Sequence, residues 1–171
     1  MTFDEVGAKA VVAALLDEAG GQVGRFVPVT DVIASSGMDA SRATAALDEF
    51  AERRWVQIRS DRIAATRWGL EFAMDWTFVG PVLRVLDAGG AESGDVAAAS
   101  GLSVQEVDKL LNALAVLGFA SQNIDRKEGR PPIFWASITG KGREYLTNGC
   151  KVPELSRVQE NDASIPPDVW P

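Results

Sequence analysis

Apolar residues recur at helical spacing in two stretches of the chain. Val11, Val12, Leu15 and Leu16 form one stripe, and Val82, Leu83, Val85 and Leu86 form the other. Spacing of three to four residues puts each set on one face of an amphipathic helix. A shorter helix is predicted after each, carrying Val32 and Ile33 in the first case and Val96 in the second. It stops at Gly37 or Gly101, as suits a left-handed C-cap. A third helix then opens on a polar cap, Asp39 or Ser103; Ser103 with Glu106 spells a capping box. Its buried face carries Ala43, Leu47 and Phe50, or Val107, Leu111 and Leu114. Two strand-like runs follow on either side of a polar tip. They are "WVQIR" and "RIAATR" around Ser60-Asp61, and "FASQNI" and "IFWASI" around "DRKEGRPP".

The two halves align as an internal repeat. "DVIASSGMDAS" matches "DVAAASGLSVQ", and "AALDEFAERRWV" matches "KLLNALAVLGFA", both at an offset of 64. Thr66, Gly69, Glu71 and Phe72 match Thr139, Gly142, Glu144 and Tyr145 at an offset of 73. The change from 64 to 73 places nine extra residues in the second hairpin. The repeated Thr is expected to end the second strand and cap a closing helix. The repeated Gly is expected to let that helix sit close to its neighbour. Phe72 and Tyr145 are expected to pack back on the core.

The copies also differ. "RFVPV" (25–29) supplies a strand between the first two helices of the first copy. The polar "GGAESG" predicts none in the second. The first copy's closing helix is expected to run through about Trp76, with Trp76 and Phe78 between the units and Gly80-Pro81 starting the next helix. After Gly149 the chain turns polar and loses periodicity, as a tail does. It ends in "IPPDVWP", where Val169 and Trp170 are candidates for docking on a partner. The expected domains are 1–76, 77–148 and a tail over 149–171.

Composition narrows the chemistry. Hydrophobic residues are 46% and charged residues 24% of 171, enough for packed cores. No apolar run approaches the roughly 18 residues of a membrane span. The single cysteine, Cys150, reads as an incidental surface thiol and fits a reducing cytoplasm. Histidine is absent, which removes the commonest general base and zinc ligand together. Ser-His-Asp and Cys-His catalysis are thereby excluded, and no phosphate-binding glycine loop is present. A protein that is not an enzyme, without cofactor or metal, is the expectation. Alanine-rich composition with Arg favoured over Lys fits a GC-rich prokaryote.

Helix, short helix, turn, helix and hairpin, in that order, make a helix-turn-helix with a wing. Each half resembles a winged-helix domain. "GLSVQEVDKLLNALAVLGFASQ" with "ITGKGREYL" is similar to bacterial and archaeal regulators of the MarR and PadR type, and the likeness spans about residues 6–148. The implied fold is mostly α with small β-hairpin wings (α+β). Two tandem winged helix-turn-helix domains would stand in a rigid arrangement ahead of an irregular C-terminal tail.

The resemblance implies that the third helix enters the major groove while the wing touches the backbone. In the first copy the matching positions are Ser41, Arg42 and Thr44 on the helix. Arg53, Arg54, Arg59, Arg62 and Arg67 follow along the helix end and wing. Five cations against Asp61 give a local charge of +4 over residues 53–67. In the second copy the candidates are Gln105, Lys109 and Asn112 on the helix, with Arg126, Lys127 and Arg130 on the wing. Glu106 and Asp108 share that helix and would repel phosphates.

The global field opposes nucleic acid: net charge is −7, with 8 basic and 12 acidic residues in 1–76 and 7 basic and 8 acidic in 77–148. Two readings therefore stand. One is a DNA-binding transcriptional regulator that engages duplex DNA mainly through the first wing, as a homodimer. The other is a tandem winged-helix scaffold that binds a protein through the second domain or the tail. In architecture it would resemble the kleisin-associated ScpB family or the small tandem winged-helix subunit of endosomal sorting complexes.

Overall fold

The structure, a computed structural model, describes residues 5–125, 128–129 and 133–152. The chain divides into two compact units, whose described parts are residues 5–74 in one and 75–125, 128–129 and 133–152 in the other. Among the described residues it is mostly helical, with eight α-helices and two small antiparallel sheets, an α+β composition. No described helix is long and apolar enough to cross a membrane.

The first unit runs α1 (Glu5–Glu18), β1 (Val27–Pro28), α2 (Val29–Ser36), α3 (Ala40–Glu52), β2 (Val56–Arg59), β3 (Arg62–Ala65) and α4 (Arg67–Ala73). Its sheet has the order β1-β3-β2, all antiparallel. Val11, Val12 and Leu15 of α1, Val32 of α2, Phe50 of α3 and Ile63 of β3 meet in one core and are at most 1% exposed. Burial of that size stabilises by roughly 1.5–3 kcal/mol per large side chain. Trp55 stacks on Phe72 with ring centres 3.8 Å apart, tying the base of the hairpin to α4.

The second unit begins with a 3-10 turn (Trp76–Phe78) and continues as α5 (Val79–Asp87), β4 (Ala91–Glu92), α6 (Ser93–Ser100), α7 (Val104–Val116), β5 (Ala120–Asp125), β6 (Ile133–Ile138) and α8 (Gly140–Thr147). The sheet order is β4-β6-β5. The element order of the first unit thus recurs, and the hairpin accounts for the nine-residue offset. It occupies residues 56–65 in one unit and 120–138 in the other.

Local geometry repeats at the aligned positions. Gly37 and Gly101 close α2 and α6 with φ of 68° and 76°. Thr66 and Thr139 have the same backbone, φ −93° with ψ 172° and 174°, and each hydroxyl accepts from the amide three residues on. Each Thr amide also donates to the carbonyl at the hairpin's start, Trp55 or Phe119, at 3.0 and 3.1 Å. The matched glycines owe their identity to that same carbonyl. A Cβ on Gly69 would collide with the carbonyl oxygen of Trp55, and one on Gly142 with that of Phe119. The close neighbour is therefore the start of the hairpin rather than another helix.

Three sequence expectations need correction. The second unit does have a strand between its first two helices, because Ala91 and Glu92 pair with Ala136 and Trp135. Two backbone residues suffice for that bridge, so side-chain polarity did not forbid it. Gly90 assists, since any Cβ there would run into the Trp135 indole. The closing helix of the first unit stops at Ala73, with Met74 extended at φ −65° and ψ 137°. Trp76 instead opens the second unit. Asp75 caps the turn through the Thr77 amide at 3.0 Å, and the Trp76 ring meets the Phe119 ring edge-on at 5.9 Å. Cys150, expected at the surface, is half-buried, with its sulfur 3.8 Å from an Arg84 Nη2 and facing Gly80. Burial raises the pKa of the neighbouring Tyr145 phenol; Cys150 adds to the rise and Arg84 opposes it.

Candidate nucleic-acid interface

The third helix of the first unit is held by its cap. The Asp39 carboxylate accepts from the Ser41 amide at 3.0 Å and the Arg42 amide at 3.3 Å. The Ser41 hydroxyl donates to the same oxygen, and this bond is the largest cause holding the Asp39 pKa below the usual value; the Arg42 and Ser41 amides add to it. Ser41 and Thr44 are exposed as expected, but both hydroxyls are engaged locally, since Thr44 donates to the Ala40 carbonyl at 2.8 Å. Arg42, also exposed, carries the cationic side chain of that helix's first turn.

The arginines of the first hairpin separate into two groups. Val56 pairs with Ala65 at the base of the hairpin, and Arg59 pairs with Arg62 at its tip. Arg53 and Arg54 precede β2 and Arg67 opens α4, so these three stand at the base. Three strand residues, roughly 10 Å, separate base from tip. Arg53 is already paired, its Nη2 2.7 Å from Glu49 Oε1 and its guanidinium 5.2 Å from the Trp55 ring centre.

At the tip the arrangement differs. Arg59 and Arg62 are direct cross-strand partners, both exposed. Like charges placed so repel and destabilise a hairpin. Among the described residues neither has a carboxylate within ion-pair distance. The connection adds to the cost, because Ser60 takes φ 55°, a conformation that favours glycine. Phe26, just before β1, touches both arginines. The Arg59 guanidinium lies 4.8 Å from its ring centre, and Arg62 Nη2 donates to its carbonyl at 3.0 Å. In the sequence Phe26 is marked only as part of the strand-like run "RFVPV". The sheet register supplies the missing fact: Val27 pairs with Ile63 and Pro28 with Arg62 on one side of β3, while Arg59 of β2 pairs with Arg62 on the other.

The second unit's third helix has its polar face engaged. Glu106 accepts from the Ser103 amide and hydroxyl at 2.8 and 2.7 Å, and the hydroxyl bond is the first cause lowering its pKa. Asp108 accepts from the Ser93 hydroxyl, and Asn112 accepts from Gln122 at 2.8 Å. Gln105 and Lys109 are exposed on the same helix. Arg126, Lys127 and Arg130 lie outside the described residues, as do Val169 and Trp170.

The second hairpin's most conspicuous surface is apolar. Ile124 and Phe134 are cross-strand partners, 49% and 61% exposed. With Leu111 of α7 they line a groove of about 760 Å³, bordered by Glu92 and Asp108. The signal in the sequence was the run Ile133-Phe134-Trp135, which is apolar on both faces of the strand where a half-buried strand would alternate.

No family model matches this chain. No curated protein matches it either. Among solved structures, the mRNA-binding domain of elongation factor SelB from E. coli in complex with SECIS RNA is similar to it. That likeness has a TM-score of 0.32 and 16% identity, over 75% of this chain and 96% of the other. An overlap that loose assigns neither fold nor function.

Proposed function

We propose that the protein is a tandem winged-helix, DNA-binding regulator that engages duplex DNA through its first unit. In this reading α3 lies along the major groove and the hairpin of β2 and β3 rests on the phosphate backbone. The observation that carries it is the Arg59–Arg62 pair at the hairpin tip, two cations facing each other without an ionic partner among the described residues. Such a placement costs stability unless an anion binds there. With the hydroxyls of Ser41 and Thr44 engaged locally, most of the binding energy comes from phosphates rather than base edges.

Fluorescence anisotropy with a random duplex of about 20 base pairs tests this. The protein is expected to bind at about 50 mM salt and to lose affinity linearly in log–log form as salt rises. No binding at that salt overturns the reading.

A second reading, a protein-interaction scaffold, draws on the exposed Ile124–Phe134 pair and its acidic rim. A Phe134→Ser/Ile124→Ser variant tests whether that face joins copies of this chain. The two are a cross-strand pair about half exposed, so the loss of stability should stay within about 1 kcal/mol. Light scattering across a concentration series should show the wild type self-associating and the variant monomeric. Equal masses for the two proteins count against this face as an interface between copies.

A further inference from the structure

We infer that Phe26 is a positioning residue that sets Arg59 and Arg62 as a clamp for a single phosphodiester group; this rests on the DNA-binding reading above. The two arginines need such a device. Sitting opposite each other on β2 and β3, their guanidinium groups repel, and long side chains on an exposed tip sample many rotamers. Phe26 restrains both in different ways. Its half-buried ring carries the Arg59 guanidinium at 4.8 Å, and its backbone carbonyl accepts one of the five N–H bonds of Arg62 at 3.0 Å. Both residues are exposed, and a planar guanidinium presents its N–H fork to phosphate oxygens.

A phosphate completes this site better than a carboxylate side chain. Both arginines contact Phe26, and a phosphodiester can be shared between two forks without ordering a flexible side chain. Phe26 is fixed by the strand that follows it, because Val27 pairs with Ile63 and is 7% exposed. The clamp therefore sits on the sheet rather than on a mobile loop, and its geometry exists before the ligand arrives.

A double-mutant cycle on the full chain tests the role, read by anisotropy with the same duplex at about 50 mM salt. Phe26→Leu keeps an apolar side chain but removes the ring; it should weaken binding about threefold to tenfold. Phe26→Tyr keeps the ring and should bind within about twofold of wild type. In an Arg59→Gln background the Phe26→Leu effect should vanish, and circular dichroism should show every variant folded. If Phe26→Leu costs as much with Arg59→Gln as without it, the ring acts through general packing and the clamp is overturned. If wild type binds and Phe26→Leu binds equally well, the clamp alone fails. Absence of wild-type binding removes the DNA-binding reading itself, and the clamp with it.

Discussion

Gly69→Ala and Gly142→Ala should each lower the stability of their own unit by about 2–4 kcal/mol, a loss of roughly 10–20 °C in melting temperature. The added Cβ meets a carbonyl oxygen, that of Trp55 or of Phe119. These oxygens cannot step aside cheaply. Trp55 O accepts from the Thr66 amide at 3.0 Å and the Thr66 hydroxyl at 3.1 Å, and Phe119 O accepts from the Thr139 amide at 3.1 Å. Moving either one breaks the bond that joins the hairpin's start to the closing helix. Gly94→Ala is the control, because nothing lies within 4 Å of its Cβ position and the residue is helical. It should be neutral or stabilising by up to about 1 kcal/mol. Differential scanning calorimetry of the three variants decides the matter. Unchanged melting in Gly142→Ala would show that the close approach has slack.

This pair of glycines also shows why the architecture was legible in the sequence. A Thr cap, a Gly forced by a carbonyl and an aromatic three residues on are chemical requirements at fixed positions, so they appear as letters at a constant offset. The helices likewise followed from periodicity, as Leu47 with Phe50 and Leu111 with Leu114 fall on the buried face of α3 and α7. What escaped notice depends on backbone pairing. The two-residue strand Ala91–Glu92 needs only amides and carbonyls, which every residue supplies. The role of Phe26 needs the register of three strands, with partners 33 and 36 positions away along the chain. The apolar groove of the second unit was visible only as a strand that failed to alternate, and that pattern does not say what lies opposite it.

The arginines were visible as a cluster, but a cluster in sequence is not a cluster in space. If the hairpin tip is the phosphate contact, Arg59→Ala/Arg62→Ala should weaken duplex binding about 100-fold or more at about 50 mM salt, the loss of two charge-assisted hydrogen bonds of roughly 1.5–3 kcal/mol each. The salt dependence should fall with it. Each neutralised phosphate contributes about 0.9 to the slope of log affinity against log salt, so removing the pair that shares one should flatten it by roughly 0.9. Arg53→Gln should behave differently, because its charge is already matched by Glu49 at 2.7 Å; its slope should change by less than about 0.2. A uniform loss of charge would give Arg53 half the effect of the pair. The position-dependent outcome separates a placed contact from diffuse attraction, which matters in a chain whose net charge of −7 opposes DNA binding. Equal slopes for wild type and the tip double variant would remove the hairpin from the interface and leave α3 with Arg42 to account for any binding that persists.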